Sequence, residues 1–329
     1  MSEPLVSVII PVYQGERIVL GAVRSALRQT HANLEVLVVD DGSTDATQDV
    51  LARLDDPRVY VMRQANAGTA AARNLALARA RGSYIAFLDS DDRWFPDKIA
   101  TELRTLQNAP APIAIAYSSY YPVDDRGRLV HLPANRSHSG NALEVLLDGE
   151  DFLMPSVCLF DRRIFDTIGH FSVGRYHEDH EFILRASRLY PIFPTSRRLV
   201  VYRQSTSGKC RRILRDFERA RAEELSIAGD FAPVLTAEQN LRLHQNVRRS
   251  LYCRFLMYGF NQNAKRMLAE VELDKLPASG KGRLAWIFSW SGINLLAAAR
   301  QAVQTSYRLF AQRSWHRLLA RSGVDLLYG

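Results

Sequence analysis

Apolar and polar positions along this chain change their period twice. In the first 110 residues, short apolar runs at 6–11, 34–39, 59–62 and 84–88 alternate with stretches of helical spacing. Residues 17–28 place Ile18, Val19, Ala22, Val23, Ala26 and Leu27 on one helix face. Residues 44–54 and 69–80 read as two more helices, the second stopped by Gly82, and a fourth is expected near 96–106. Strands and helices in strict alternation predict an α/β fold, a mostly parallel sheet flanked by helices. Beyond Ile113 the rhythm loosens. Residues 117–130 hold Asp124-Asp125-Arg126-Gly127, a hairpin-turn signal, while 157–160 and 199–202 read as short strands and 179–189 as a helix. From about Lys209 the pattern is almost wholly helical, over 211–228, 237–258, 263–270 and 284–310, with a linker at 272–283. Two domains are therefore expected, 1–205 and a C-terminal α-helical region, 206–329.

Charge sharpens that division. Residues 1–205 hold 23 Lys and Arg against 25 Asp and Glu, whereas 206–329 hold 20 against 10. The overall net charge of +8 thus belongs to the C-terminal region. Together with Trp286, Phe288, Trp290 and Ile293, the excess of Lys and Arg suits an anionic membrane surface. An acceptor contact or oligomer contacts are the other expectations for this region. No helix-turn-helix, RNP or zinc pattern accompanies the basic residues, so no nucleic-acid partner is expected. The apolar stretch 284–299, 16 residues long, would span about 24 Å as a helix against a hydrocarbon core of about 30 Å. It reads as a buried or interfacial helix. No secretory leader is expected, because Glu3 stands where a basic segment would and the run at 6–10 is short. Cys158, Cys210 and Cys253 are odd in number and far apart, which gives neither a zinc site nor a disulfide framework and fits a reducing, cytoplasmic compartment.

The candidate chemistry lies where strands should leave the sheet. The run 84–88 ends in Asp89-Ser90-Asp91-Asp92. Two carboxylates about 5 Å apart at an effective dielectric of about 20 repel by roughly 3 kcal/mol. A divalent cation reverses that sign. Mn²⁺ or Mg²⁺ held by one or two carboxylates takes its other ligands from water and phosphates. Three further sets accompany this one: Pro11-Val12-Tyr13 with Glu16 behind it, Asp40-Asp41-Gly42-Ser43, and Asn66-Ala67-Gly68 followed by Arg73-Asn74. Ligands of open parallel sheets bind at the carboxyl ends of strands, so these sets can converge on one ligand.

The stretches VSVIIPVYQGE, LVVDDGSTD, NAGTAAARN, YIAFLDSDDRWFPDK and HEDHEF resemble, in order and over about residues 5–205, family 2 glycosyltransferases of the GT-A fold. That resemblance implies an inverting, metal-dependent transfer of a sugar from a nucleotide-sugar to a hydroxyl of a glycan or lipid-linked acceptor in cell-surface polysaccharide biosynthesis. It implies that Pro11 and Tyr13 line the base pocket and that Asp41 accepts from a base N–H, which favours a UDP-sugar. Val12, Glu16, Gly68 and Arg73 join them around the nucleotide. Asp89 and Ser90 would contact ribose and phosphate, Asp91 with Asp89 would hold Mn²⁺ or Mg²⁺, and Asp179 would be the general base. The enzyme would act in the cytoplasm, or on the cytoplasmic face of the inner membrane. The chain departs from many relatives where Gln204, Ser205 and Thr206 follow Tyr202-Arg203 in place of a histidine, and Arg203 or Lys209 could substitute. Two other readings compete. A nucleotide-binding scaffold of the same fold would do no chemistry. A sugar-1-phosphate nucleotidyltransferase would need a Gly-rich N-terminal loop, whereas residues 8–24 hold only Gly15 and Gly21.

Overall fold

Strand β1 (Val6–Val12) is buried along its whole length. Both its faces are covered, which is why it reads as a continuous apolar run and not an alternation. The computed structural model describes residues 3–130, 132, 135, 137–147, 152–174, 177–205, 214–257, 260–268, 315, 318, 319, 321, 322 and 324. The remaining strands are β2 (Leu34–Asp40), β3 (Val59–Arg63), β4 (Tyr84–Phe87), β5 (Arg93–Trp94), β6 (Ile115–Val123), β7 (Cys158–Asp161) and β8 (Ile192–Arg203). They form one eight-stranded sheet in the order β3-β2-β1-β4-β7-β6-β8-β5. The first four strands run parallel, β6 and β8 run parallel, and β7 and β5 are antiparallel to their neighbours.

The chain winds outward from β1 in both directions, through β2 to β3 on one side and to β4 on the other. Such a reversal opens a crevice at the carboxyl ends of the two central strands. Here those ends are Val12 and Phe87, so Tyr13 and Asp89 leave the sheet at the same rim. Register puts Asp40 opposite Val12, which brings Asp41 to that rim as well.

Helices α1 (Val19–Leu27), α2 (Thr47–Leu51), α3 (Thr69–Leu77), α4 (Lys98–Gln107), α5 (Leu143–Leu147), α6 (Arg163–Ile168) and α7 (Glu178–Leu189) fill the connections. Helix α1 buries Val19, Ala22, Val23 and Ala26, the face read from the spacing. Its Gly21 has a spatial reason: a Cβ there would sit 2.2 Å from the Arg93 guanidinium. Helix α7 is pinned by aromatic packing. Phe182 stacks on Phe171 at 4.3 Å and on Phe165 at 5.3 Å, and Phe171 meets the β4 residue Phe87 edge-on at 5.1 Å. Behind β5, the fully buried Lys98 pairs with Glu102 at 2.6 Å and lies 4.2 Å over the Trp94 ring. Ser118 Oγ donates to the other Glu102 oxygen at 2.6 Å. Every charge there has a partner, as a buried ion pair requires.

Contacts divide the chain into two compact units. The first comprises Met1–Leu143, Asp151–Gln204 and Gln312–Gly329. Within it, Trp315 is buried against Tyr121 with ring centroids 4.9 Å apart, and its indole N–H donates to the Gly127 carbonyl at 3.3 Å. The second comprises Glu144–Glu150 and Ser205–Ala311. Its helices Phe217–Phe231, Ala237–Met257 and Asn261–Leu268 enclose Leu214, Phe217, Leu251, Phe255 and Met267. The expected linker 272–283 and helix 284–310, with Trp286, Phe288, Trp290 and Ile293, lie outside the described residues, as do Thr206 and Lys209. Among the described residues no helix is long and apolar enough to cross a membrane. Cys158 is buried, and burial with the nearby Glu102 pushes its thiol up, so it is chemically quiet.

Candidate active site

Two loops at the rim brace each other. Gln14 takes a left-handed backbone, with φ of 53°, and its amide donates to Ser43 Oγ at 2.9 Å. Its side-chain oxygen accepts from the Thr44 and Asp45 amides. The Gly15 amide donates to Thr47 Oγ1 at 2.8 Å. Glu16 uses Oε2 to accept the Ala46 amide at 3.0 Å, next to the first turn of α2, and Oε1 lies 3.6 Å from Arg17. Pro11 and Val12 are buried in β1, whereas Tyr13 just beyond is 48% exposed.

Asp41 is buried and held at both ends. Its amide donates to the Val12 carbonyl at 2.8 Å. Its Oδ1 accepts from Gln64 Nε2 at 2.7 Å and the Ala67 amide at 2.9 Å, and its Oδ2 accepts the Gly68 amide at 2.9 Å. The carboxylate therefore shapes the turn that leads into α3. Gly42 follows with φ of +77°, and a Cβ there would lie 2.7 Å from the Asn66 nitrogen. An L side chain at positive φ costs about 1–2 kcal/mol before any clash. Gly42→Ala is expected to lower unfolding stability by at least about that much, in urea titrations. It should also displace Asp41 and Gly68 together, both of them residues the resemblance places around a nucleotide. Gly68 itself has φ of +91° and open space around its Cα, so its requirement is conformational.

The acidic cluster is more uneven than the sequence showed. Asp89 is partly exposed, with its amide on Ser156 Oγ at 3.1 Å. Asp92 is fully buried and does not cap α4, whose N-cap is Asp97. It accepts the Arg203 amide at 3.0 Å instead. Burial, then Asp91 and Asp89, push its carboxyl well up. Asp91 is pushed up to about 6, first by burial and then by Asp89, with Arg203 and Arg93 opposing. Ser90 sits in the turn between them, its carbonyl 3.4 Å from Arg93 Nη1. Arg93 is buried too, donating to the carbonyls of Asp92 at 2.7 Å and Ile18 at 3.0 Å.

Arg73 joins this cluster to the start of α7. Read from sequence alone it could have been a solvated helix face, but its side chain is only 3% exposed. Its Nη2 donates to Asp89 Oδ1 at 2.7 Å, and its Nη1 lies 3.7 Å from Glu178 Oε1. The guanidinium lies 5.2 Å from the Phe171 ring centroid. Asn74 fastens the neighbouring loop with two bonds to the Phe171 backbone, at 2.8 and 3.0 Å. Asp179 lies in the first turn of α7, where its Oδ1 accepts the His180 amide at 2.8 Å. Burial works against its charge, but Arg73, then His177 and the His180 amide, outweigh it and hold its carboxyl below the usual range. Glu181, the other carboxylate beside it, is fully engaged by Arg185 at 2.5 Å and Ser172 at 3.1 Å. Tyr202 marks where the two groups meet. Burial raises its phenol, and Asp92, Asp91, Asp89 and Asp179 all raise it further. Ser156 and Gly21 were not legible as site residues, Asn74 was named only as part of the Arg73-Asn74 set without a role, and Tyr202 was noted only for the motif beside it.

The donor chemistry fits a divalent cation. Asp91 and Asp89 sit together with their charges incompletely offset, the situation an oxygen-loving cation relieves. Among the described residues no three His, Cys, Asp or Glu side chains form a ready-made cage. A metal here would rest on one or two carboxylates and complete its shell with phosphate and water.

The profile described as glycosyl transferase family 2 matches residues 7–169. Glycosyltransferase GlyG of Streptococcus pneumoniae serotype 4 is 31% identical over 208 residues, which span 57% of this chain and 68% of that protein. The chain belongs to glycosyl transferase family 2. An uncharacterized glycosyltransferase of Rickettsia conorii is 35% identical over 170 residues, half of this chain but 28% of the relative, so the match spans little more than a quarter of that longer protein. The UDP-Glc:α-D-GlcNAc-diphosphoundecaprenol β-1,3-glucosyltransferase WfaP of Escherichia coli is 41% identical over 118 residues, 36% of this chain and 46% of that one. Among solved structures, Staphylococcus aureus TarS 1–349 in complex with UDP superposes with a TM-score of 0.55 at 19% identity, covering 92% of this chain and 91% of that one. The Pyrobaculum calidifontis mannosyltransferase PcManGT, in complex with GDP-Man and Mn²⁺, gives 0.56 at 18%, covering 94% and 88%. These likenesses show that this family 2 chain has the GT-A fold.

Proposed function

We propose that this chain transfers a sugar from a UDP-sugar to a hydroxyl of a glycan or lipid-linked acceptor, with inversion, in the building of a cell-surface polysaccharide. The observation that carries the reading is the buried guanidinium of Arg73, standing between Asp89 on one side and Glu178 and Asp179 on the other. It supports a donor site and a base placed side by side at the crevice between β1 and β4. A relative and a structural neighbour named above support the nucleotide: the relative is named for action on UDP-Glc with a diphosphoundecaprenol-linked acceptor, and the neighbour is solved with UDP.

In this reading Pro11, Val12 and Tyr13 border the base, and Asp41 reads it. Asp89 and Asp91 would hold Mn²⁺ or Mg²⁺, and when bound the cation neutralises charge on the departing diphosphate. Arg73 keeps Nε and Nη1 donors unspent among the described residues, available to a phosphate oxygen. Asp179, ionised because Arg73 and His177 favour its charge, takes the proton of the acceptor hydroxyl as that oxygen attacks the anomeric carbon. One base on the acceptor side and one leaving group opposite give direct displacement, hence inversion.

Thermal unfolding with UDP, GDP, dTDP and CDP, each with and without Mn²⁺, tests the donor half. UDP with Mn²⁺ at about 100 times its dissociation constant should stabilise by about 2.7 kcal/mol. Asp91→Ala should lose the Mn²⁺-dependent part of that gain. A larger response to GDP would overturn the nucleotide assignment. No response to any nucleotide would overturn the donor site.

A further inference from the structure

A second cavity lies away from the crevice, in the first unit. Its volume is about 720 Å³, and Phe95, Asp97, Tyr121, Arg197, Arg198 and Arg321 are among its walls. That size is ordinary for a small-molecule site. Along β8, Arg198 is five residues from Arg203 at the acidic cluster, or about 17 Å of extended strand. The two sites are therefore separate.

The backbone here departs from a regular strand. Neighbouring residues of a strand point to opposite faces of its sheet. Arg197, Arg198 and Leu199 nonetheless all line the same cavity. The pairing of β6 with β8 slips in register on both sides of Ser119, and Ser196 takes φ of +58°. A serine in the left-handed region is uncommon and mildly costly. The irregularity has the effect of turning two consecutive guanidinium groups into one space.

The cavity is electrostatically one-sided. Three arginines face one carboxylate, Asp97, which is already bound to Arg197. Its lining thus carries three cationic side chains and one anionic one. Arg198 lies over the Tyr121 ring at 5.9 Å, and among the described residues Arg321 has no carboxylate partner. Guanidinium forks match phosphate oxygens in pairs, and the rings of Phe95 and Tyr121 offer a face for an apolar or ring-shaped body.

We propose that this cavity is a second ligand site, for a phosphate-bearing molecule, distinct from the donor site. The inference stands whether or not the donor reading holds. Its test is calorimetric titration of inorganic pyrophosphate into the full chain in the presence of a chelator, for wild type, Arg321→Glu and Arg198→Ala. Arg321 is exposed, so its reversal leaves the fold intact. Each variant should bind pyrophosphate about tenfold more weakly, the worth of one charge-assisted contact. Arg321→Glu should keep the wild-type thermal response to UDP with Mn²⁺. Equal pyrophosphate affinity in all three proteins would overturn the proposal. So would loss of the UDP response in parallel, which would mean a single shared site. Flotation with phosphatidylcholine vesicles, with and without phosphatidylglycerol, separates the sources. Pyrophosphate-sensitive binding to the anionic vesicles alone supports the site with a lipid phosphate as its ligand. Pyrophosphate binding without flotation supports it with a soluble phosphate ester.

Discussion

Asp179→Asn should slow sugar transfer by about 10²–10⁴-fold, the usual worth of a positioned base, while nucleotide binding stays intact. The asparagine oxygen can still accept the His180 amide that Asp179 Oδ1 accepts now, so the first turn of α7 keeps its geometry. Arg73 loses one nearby charge but keeps Asp89 and Glu178. The variant should therefore show the wild-type thermal shift with UDP and Mn²⁺ and fail only in product formation from UDP-sugars. Glu178→Gln is the control. If it abolished transfer while Asp179→Asn left it untouched, the base would be Glu178. The acid limb of kcat/KM carries a second check. Asp179 is held below its ordinary value by Arg73 and His177 against the opposing effect of burial. With Mn²⁺ saturating, so that Asp91 stays ionised, the rate should stay level as pH falls from neutral until below about pH 4, the ordinary carboxylate value.

Arg73→Met should cost about 3–5 kcal/mol of stability, the range for stripping one partner from a buried charge cluster. Methionine fills most of the space between Phe171 and Phe87, so the loss is chiefly electrostatic. It leaves Asp89, Glu178 and Asp179 without their shared cation. The pH dependence follows from linkage. A carboxylate whose folded pKa is depressed contributes stability above its unfolded pKa and loses it as pH falls through the folded one. Asp179 is such a group in the wild type because of Arg73. The gap between wild type and Arg73→Met should be full at neutral pH and narrow below about pH 4. Urea unfolding at several pH values measures it. A gap constant with pH would assign the effect to packing and sink the electrostatic account. Arg73→Lys, which restores charge without the fork, should recover part of the loss.

What could be read from the sequence divides by range. Strands β1, β2 and β4 and the acidic residues at their ends were visible because burial on both faces writes a local apolar run. The same local signal located α1 and α7 within a residue or two. Strand β8 was seen only at 199–202, although it runs from Ile192 to Arg203. Pro194 and the left-handed Ser196 break the alternation in its first half. The two-residue β5 was missed because its residues, Arg93 and Trp94, are buried by distant partners: Ile18, Ser25 and Ser156. Arg73 shows the limit most plainly. In the run Ala70-Ala71-Ala72-Arg73-Asn74 nothing local distinguishes a buried arginine from an exposed one. Its partners are 16 and 105 residues away. The same holds for Ser156, whose hydroxyl meets Asp89 across 67 residues, and for Trp315, which returns to pack on Tyr121.

Asp41 carries a consequence for which base the crevice can accept, and it is one of valence. A carboxylate oxygen offers two lone pairs. Oδ1 spends both, on Gln64 and Ala67, and Oδ2 spends one, on Gly68. One acceptor position is left on the whole group. If Asp41 reads the base as proposed, uracil, with its one ring N–H, would fill it. Guanine brings two parallel donors to a group that can satisfy only one of them, and cytosine brings no ring N–H at all. Selection among nucleotides would then be set by the Gln64 side chain and the two backbone amides that fold the turn, because together they have already claimed every other lone pair.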